Sequence, residues 1–221
     1  QFTGRQKIIS RYRAYHGGTN ATMQLTGDPR RWANEPGMPG VVRVMDPTPY
    51  NFSFGQSEEE ITTRNLQYLE EVIMYEGPQT IAAMILETVT GTNGMLVPPK
   101  GYMQGLRALL KKHGILMICD EVMAGMGRTG KLYAFEHFDI VPDMVTMAKG
   151  LTSAYVQLGA VGLRRPIADF FADRVFAGGL TYNSHPLACA AALATIAVYE
   201  DDRLIERARK TGALMAELLA D

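Results

Sequence analysis

The sequence predicts an α/β fold, a mostly parallel central sheet with helices on both faces. Three observations carry this. Short apolar runs alternate with longer segments whose apolar residues recur at helical spacing, the order expected of layered strands and helices. The clearest runs are continuously apolar, as strands buried on both faces of a parallel sheet are. Three of them also end directly at a charged residue.

Residues 7–10 form a brief β-prone run. Residues 17–40 are rich in Gly, Pro, Asn and Asp, contain the only tryptophan, Trp32, and read as a long structured loop. Residues 41–45 read as a strand ended by Pro47 and Pro49. The spacing of Ile61, Leu66, Leu69, Val72 and Ile73 predicts a helix over 58–75. Residues 80–86 are a continuous apolar run ending at Glu87. Residues 101–113 predict a helix with Leu106, Leu109 and Leu110 on one side and the basic pair Lys111 and Lys112 near its C-terminus. Strands at 115–119, ending at Asp120, at 143–148, ending at Lys149, and at 160–163 follow. Three long helical segments, 166–174, 185–199 and 202–219, complete the pattern. The division expected is 1–200 as the central part of a large domain and 201–221 as the start of a helix leading to a smaller one.

The 221 residues suffice for one large domain or one domain and a piece of a second. A composition of 47% hydrophobic and 20% charged residues is that of an ordinary globular protein, and a net charge of −1 offers no footprint for nucleic acid or an anionic membrane. The apolar runs are too short to span a bilayer. Residues 1–13 are polar and basic, unlike a secretory signal. Cys119 in a buried strand and Cys189 in an alanine-rich helix predict no disulfide framework and a reducing, cytoplasmic compartment. The sequons at Asn20 and Asn51 then read as chance matches.

In open α/β sheets ligands collect outside the carboxyl ends of the strands. Glu87, Asp120 and Lys149 each follow an apolar run, so parallel strands would project all three into one crevice. A strand-end lysine ordinarily lays its stem on apolar surface and keeps its charge in water. Here residues 144–148 offer little polar company and Gly150 allows close backbone approach, the surroundings of a partly desolvated amine that can bond an aldehyde. A strand-end aspartate is often a helix N-cap. Asp120 instead precedes a glycine-rich stretch, which leaves its carboxylate available to hold a heterocyclic nitrogen protonated.

The run Asp120-Glu121-Val122-Met123-Ala124-Gly125-Met126-Gly127-Arg128-Thr129-Gly130, followed by Pro142-Asp143-Met144-Val145-Thr146-Met147-Ala148-Lys149-Gly150, resembles the class III aminotransferases, fold-type-I enzymes dependent on pyridoxal 5'-phosphate. The separation from Asp120 to Lys149, 149 − 120 = 29, matches that family's spacing. Tyr15-His16-Gly17, residues 87–94 and residues 181–186 resemble three further motifs in the family's order, so the resemblance covers nearly the whole chain. It implies that Lys149 bonds the cofactor aldehyde and shuttles a proton, and that Asp120 faces the ring nitrogen. It also implies that Tyr15 stacks on one ring face, with His16 and Gly17 in its motif, and that Val122 packs on the other. Glu87 belongs to the cofactor site, and Thr181 reaches the phosphate of a neighbouring subunit in a homodimer or dimer-based tetramer. Met123, where some members carry Gln, is read as packing. The fold is then part of the large domain of a fold-type-I transferase, with an amino donor and an oxo acid as partners, and no nucleic acid or membrane.

The family's phosphate-cradling Gly-Ser-x-Ala motif would lie before Gln1, and its substrate-carboxylate arginine sits in a C-terminal small domain. The chain is therefore expected to be an internal fragment, inactive alone. Thr88 replaces a usual Pro, a mild change. Thr92 stands where members acting on ornithine or 4-aminobutyrate often carry Glu; a small residue there suits those using pyruvate. The wording of 91–94 and 120–125 is closest to taurine–pyruvate and related omega-amino-acid aminotransferases. An aminomutase of the same fold would share Asp-Glu-Val-Met but lack Gly127-Arg128-Thr129-Gly130, and a non-catalytic scaffold would not need Lys149 and Asp120. A nicotinamide-dependent dehydrogenase would need a Gly-x-Gly-x-x-Gly after an early strand.

Overall fold

The computed structural model describes residues 1–49 and 51–220. Residue 221, the last of the predicted 201–221 segment, lies outside them. Six strands form one sheet: β1 (Lys7–Arg11), β2 (Val41–Val44), β3 (Ile81–Glu87), β4 (Leu116–Asp120), β5 (Met144–Met147) and β6 (Ala160–Leu163), in the order β2-β1-β3-β4-β5-β6. The first five run parallel, and β6 joins β5 antiparallel.

The periodicity read over 58–75 becomes α2 (Glu58–Glu76), capped by Ser57, whose side chain accepts the Glu60 N–H. Its Leu69 and Ile73 pack with Tyr102, Met103, Leu106 and Leu110 of α3 (Tyr102–Lys112) against Ile9, Val44, Met84, Leu86, Met117 and Cys119. Alternation along the strands puts those sheet residues on one face. Leu106 and Leu110 are fully buried, each stabilising the fold by about 1.5–3 kcal/mol. Lys112 in the last turn of α3 pairs with Glu70 of α2 at 2.6 Å.

On the opposite face, Ser10 of β1 donates its hydroxyl to the Leu25 carbonyl at the end of α1 (Asn20–Leu25). The predicted 17–40 loop thus contains a six-residue helix, and also a 3-10 turn, Pro29–Asn34, capped by the Asp28 carboxylate. Elements of six residues are too short to leave a periodicity to read. The reverse correction applies at 166–174, where the helix α4 (Arg165–Phe170) has only six residues. Asp173 and Arg174 beyond it are exposed and give it no apolar face to extend. Helices α5 (Pro186–Asp201) and α6 (Leu204–Ala220) follow as expected. Helix α5 is apolar nearly all round, yet it buries only Ala188 and Ala192. Among the described residues no helix is long and apolar enough to cross a membrane.

Asp143 ties the amino end of β5 to α3. It accepts from Arg107 at 2.6 and 3.0 Å, from the Met117 N–H at 2.9 Å and from Arg164 at 3.3 Å. Burial alone would raise this carboxyl; the Arg107 bonds, with Met117 and Arg164, outweigh it and hold it below the ordinary carboxylate range. A depressed folded value means that the stability Asp143 contributes is present above its unfolded pKa and is lost as pH falls through the folded one. Asp143→Asn is therefore expected to cost about 2 kcal/mol at neutral pH, read as a lower thermal midpoint, with the gap from wild type closing in acid.

Candidate active site

Glu87 and Asp120 are the last residues of β3 and β4 and are paired neighbours in the register, so both side chains leave the same sheet face at the carboxyl ends. Lys149 lies just past β5, in a 3-10 turn, Lys149–Leu151. It has a φ of +43°, unusual for a residue with a Cβ. Gly150 is needed beside it, since a Cβ there would meet the Met126 side chain at 2.7 Å and the Tyr199 hydroxyl at 3.1 Å.

One cavity is lined by Tyr15, His16, Gly17, Glu87, Asp120, Val122 and Lys149, together with Thr92 and Met123. Seven of the eight site residues expected from the sequence thus meet in one place. The eighth, Thr181, is exposed in a turn and is not among the residues that line it. Chemistry rather than size marks this cavity as the candidate site. A far larger hollow of about 560 Å³ opens at the amino ends of β4 and β5, lined by Arg107, Asp143 and Arg164, whose charges are engaged with one another.

Asp120 is held from two sides. Its Oδ1 accepts the Val122 N–H at 3.1 Å, and its Oδ2 lies 2.7 Å from His16 Nδ1, with both side chains nearly excluded from solvent. Buried polar groups at this depth require partners; Asp120 supplies that of His16 Nδ1, while the buried His16 Nε2 has none among the described residues. Glu87 accepts the Tyr15 N–H at 3.0 Å and the Gly91 N–H at 2.8 Å. Burial pushes the Glu87 carboxyl up, against the pull of those two N–H groups. Thr92 extends its hydroxyl to Met123 Sδ at 3.4 Å. His113 and His137 bond Glu70 and Thr129, away from the cavity.

Sequence reasoning missed the role of Glu121. It is 1% exposed and accepts the Thr88 hydroxyl at 2.6 Å and the N–H groups of Ala134 and Phe135 at 2.9 and 3.0 Å. Burial raises its carboxyl too, countered by those same bonds. Glu121 sits between Asp120 and Val122 and ties the end of β4 to Thr88 and to the backbone at Ala134 and Phe135, beyond the glycine-rich stretch; Thr88 makes a bond that Pro could not, so the change at 88 is more than mild. An acidic residue beside the functional one was the signal available. Cys119, with its thiol pushed up to about 12 by burial, is no candidate nucleophile.

A mostly parallel sheet with an amine, a carboxylate and an aromatic ring converging at its carboxyl edge places them where α/β proteins gather small ligands. The chain belongs to the class III aminotransferase family, whose family model matches residues 1–221. It is similar to the taurine:2-oxoglutarate aminotransferase from Bifidobacterium kashiwanohense, solved in complex with PLP and glutamate, at 45% identity and a TM-score of 0.95 over 99% of this chain and 50% of that one. An (S)-enantioselective omega-transaminase from Thermomicrobium roseum gives 46% identity and a TM-score of 0.90, covering 95% of this chain and 48% of that one. Among curated proteins, the uncharacterized aminotransferase YhxA of Bacillus subtilis is 38% identical over 98% of this chain and 48% of its own length. Gamma aminobutyrate transaminase 1 of Solanum lycopersicum is 38% identical over 93% and 41%. The chain spans about half the length of these relatives.

Proposed function

We propose that the protein containing this chain is a pyridoxal-phosphate-dependent aminotransferase that moves an amino group from an omega-amino acid or amine to an oxo acid, pyruvate. The observation that carries this reading is the single cavity lined by both Lys149 and Asp120. The residues present fit the cofactor: an amine for its aldehyde, a carboxylate for its ring nitrogen, and Tyr15 and Val122 for its two faces. Bound there, pyridoxal phosphate would supply an aldehyde that condenses with amines and a ring that takes up the electron pair of a broken C–H bond.

Lys149 Nζ would hold the cofactor through its aldehyde. With the cofactor bound, Nζ would be the group placed to move a proton at the donor carbon. Asp120 keeps the proton on the ring nitrogen through its negative charge. His16 Nδ1 and the Val122 N–H fix both of its oxygens, so the carboxylate cannot swing away. Glu87 fastens the backbone of Tyr15 to that of Gly91, which keeps the Tyr15 ring over the site and water out of it.

Thr181 serves the phosphate of a partner subunit in a homodimer. Support comes from its apolar surroundings, where Phe176, Leu180, Tyr182 and Leu187 are all well exposed. Residues 1–200 act as the central part of the large domain and 201–221 begin the helix toward a small one; the compartment is the cytoplasm. Pyruvate is favoured as acceptor by the small Thr92 at the cavity.

The test is a screen of the full-length holoenzyme with taurine, β-alanine, 4-aminobutyrate and plain amines against pyruvate and 2-oxoglutarate. Fastest turnover is expected with taurine or β-alanine and pyruvate. No transfer with any pair, or rearrangement of a substrate without consumption of oxo acid, would contradict the reading.

A further inference from the structure

Arg30 does not line the cavity but stacks on Tyr15, which does, and it has had no part so far. Its guanidinium carbon stands 3.9 Å from the centroid of the Tyr15 ring, and Tyr15 lines the cavity with Lys149. The side chain is anchored from one edge: Nε and Nη2 donate to the Asp28 carboxylate at 2.5 to 3.0 Å. Asp28 is buried and is fixed in turn by the Arg30 backbone N–H at 2.8 Å. The other edge, Nη1, has no hydrogen bond among the described residues, and 44% of the side chain's surface is open. The neighbouring Arg31 is used differently, paired with Glu35, bonded to the Gly27 carbonyl and largely covered. One arginine of the pair braces the loop, and the other presents a free donor edge next to the ring that covers the site.

A planar guanidinium held at one edge and stacked on an aromatic face is pre-organised for a carboxylate or a sulfonate, and hydrogen bonds between two charged partners are the strong ones. We infer that Arg30 binds the acid group of the amino donor, a carboxylate or sulfonate carried on a short chain from the reacting amine. The inference rests on the roles proposed above for Tyr15 and Lys149. Asp28 balances the charge of Arg30, so anions at a distance are not drawn in; one that reaches Nη1 is. A donor without an acid group gains nothing from it, and Arg30 thereby sorts omega-amino acids from plain amines. The family resemblance assigns the substrate carboxylate to an arginine of the C-terminal domain, and Arg30 is a second, separate group.

The experiment compares full-length holoenzyme with its Arg30→Met variant, in which an unbranched stem still covers Tyr15. For taurine and β-alanine kcat/KM is expected to fall about 10- to 100-fold, chiefly through KM. Benzylamine, which has no acid group, serves as the internal control and should stay within about threefold. Equal losses on all three donors, or none on the two acids, would overturn the inference. Ethanesulfonate, which carries no amine, supplies a readout independent of turnover. Calorimetric titration should show it binding the wild-type holoenzyme and not Arg30→Met, and that result would support Arg30 even if no amine were turned over and the proposed function failed. No binding to wild type, or equal binding to both proteins, would overturn it.

Discussion

Lys149→Ala in the full-length holoenzyme is expected to lower kcat about 10⁴-fold. The expectation follows from what else faces the cavity. Among the described residues lining it, Lys149 is the only amine, His16 is engaged by Asp120, and Glu87 by two backbone N–H groups. None of them is free to take over the proton at the donor carbon. The turn itself should survive, because alanine at a φ of +43° is no more strained than lysine is. Loss of the near-visible absorption of lysine-bound cofactor should accompany the loss of rate, and added methylamine should restore part of it by supplying the missing base. An alanine variant that kept both the absorption and the rate would remove Lys149 from the chemistry.

Asp120→Asn is expected to lower kcat about 10²- to 10³-fold, the scale on which one pre-organised electrostatic contact acts in a closed site. The substitution keeps the shape and can keep the bond from the Val122 N–H, while removing the charge. It also places an amide opposite His16 Nδ1, which must then accept rather than donate. Single-turnover measurement of the donor half-reaction separates this effect from binding. A large fall in kcat with little change in KM is the expected signature. Asp120→Glu keeps the charge but breaks the 2.7 Å contact with His16 and should fall between the two. Wild-type rates in Asp120→Asn would show that the charge is not required.

The strands leading to Glu87, Asp120 and Lys149 were legible because each is a local apolar run bounded by a charged residue, and a parallel sheet brings such ends together whatever the intervening loops do. The motif order added Tyr15, His16, Gly17 and Val122 to the same place. What the sequence concealed are pairings between distant segments. His16 meets Asp120 across 104 positions and Thr88 meets Glu121 across 33, and neither leaves a mark on local periodicity. Arg30 was hidden inside a stretch that read only as loop, because a six-residue 3-10 helix carries it beneath the notice of any helical pattern. The overlong helix at 166–174 fails for the complementary reason: helix-compatible residues continue past Phe170, but no apolar face continues with them.

The most direct test is reductive trapping. Full-length holoenzyme treated with borohydride, digested and mapped by mass spectrometry should carry the reduced cofactor on one side chain, Lys149, in a peptide that resists tryptic cleavage at that position. The label on Lys100, Lys131 or any other lysine, or no label at all on a protein that retains its cofactor absorption, would contradict the assignment of this cavity as the place where amine meets aldehyde.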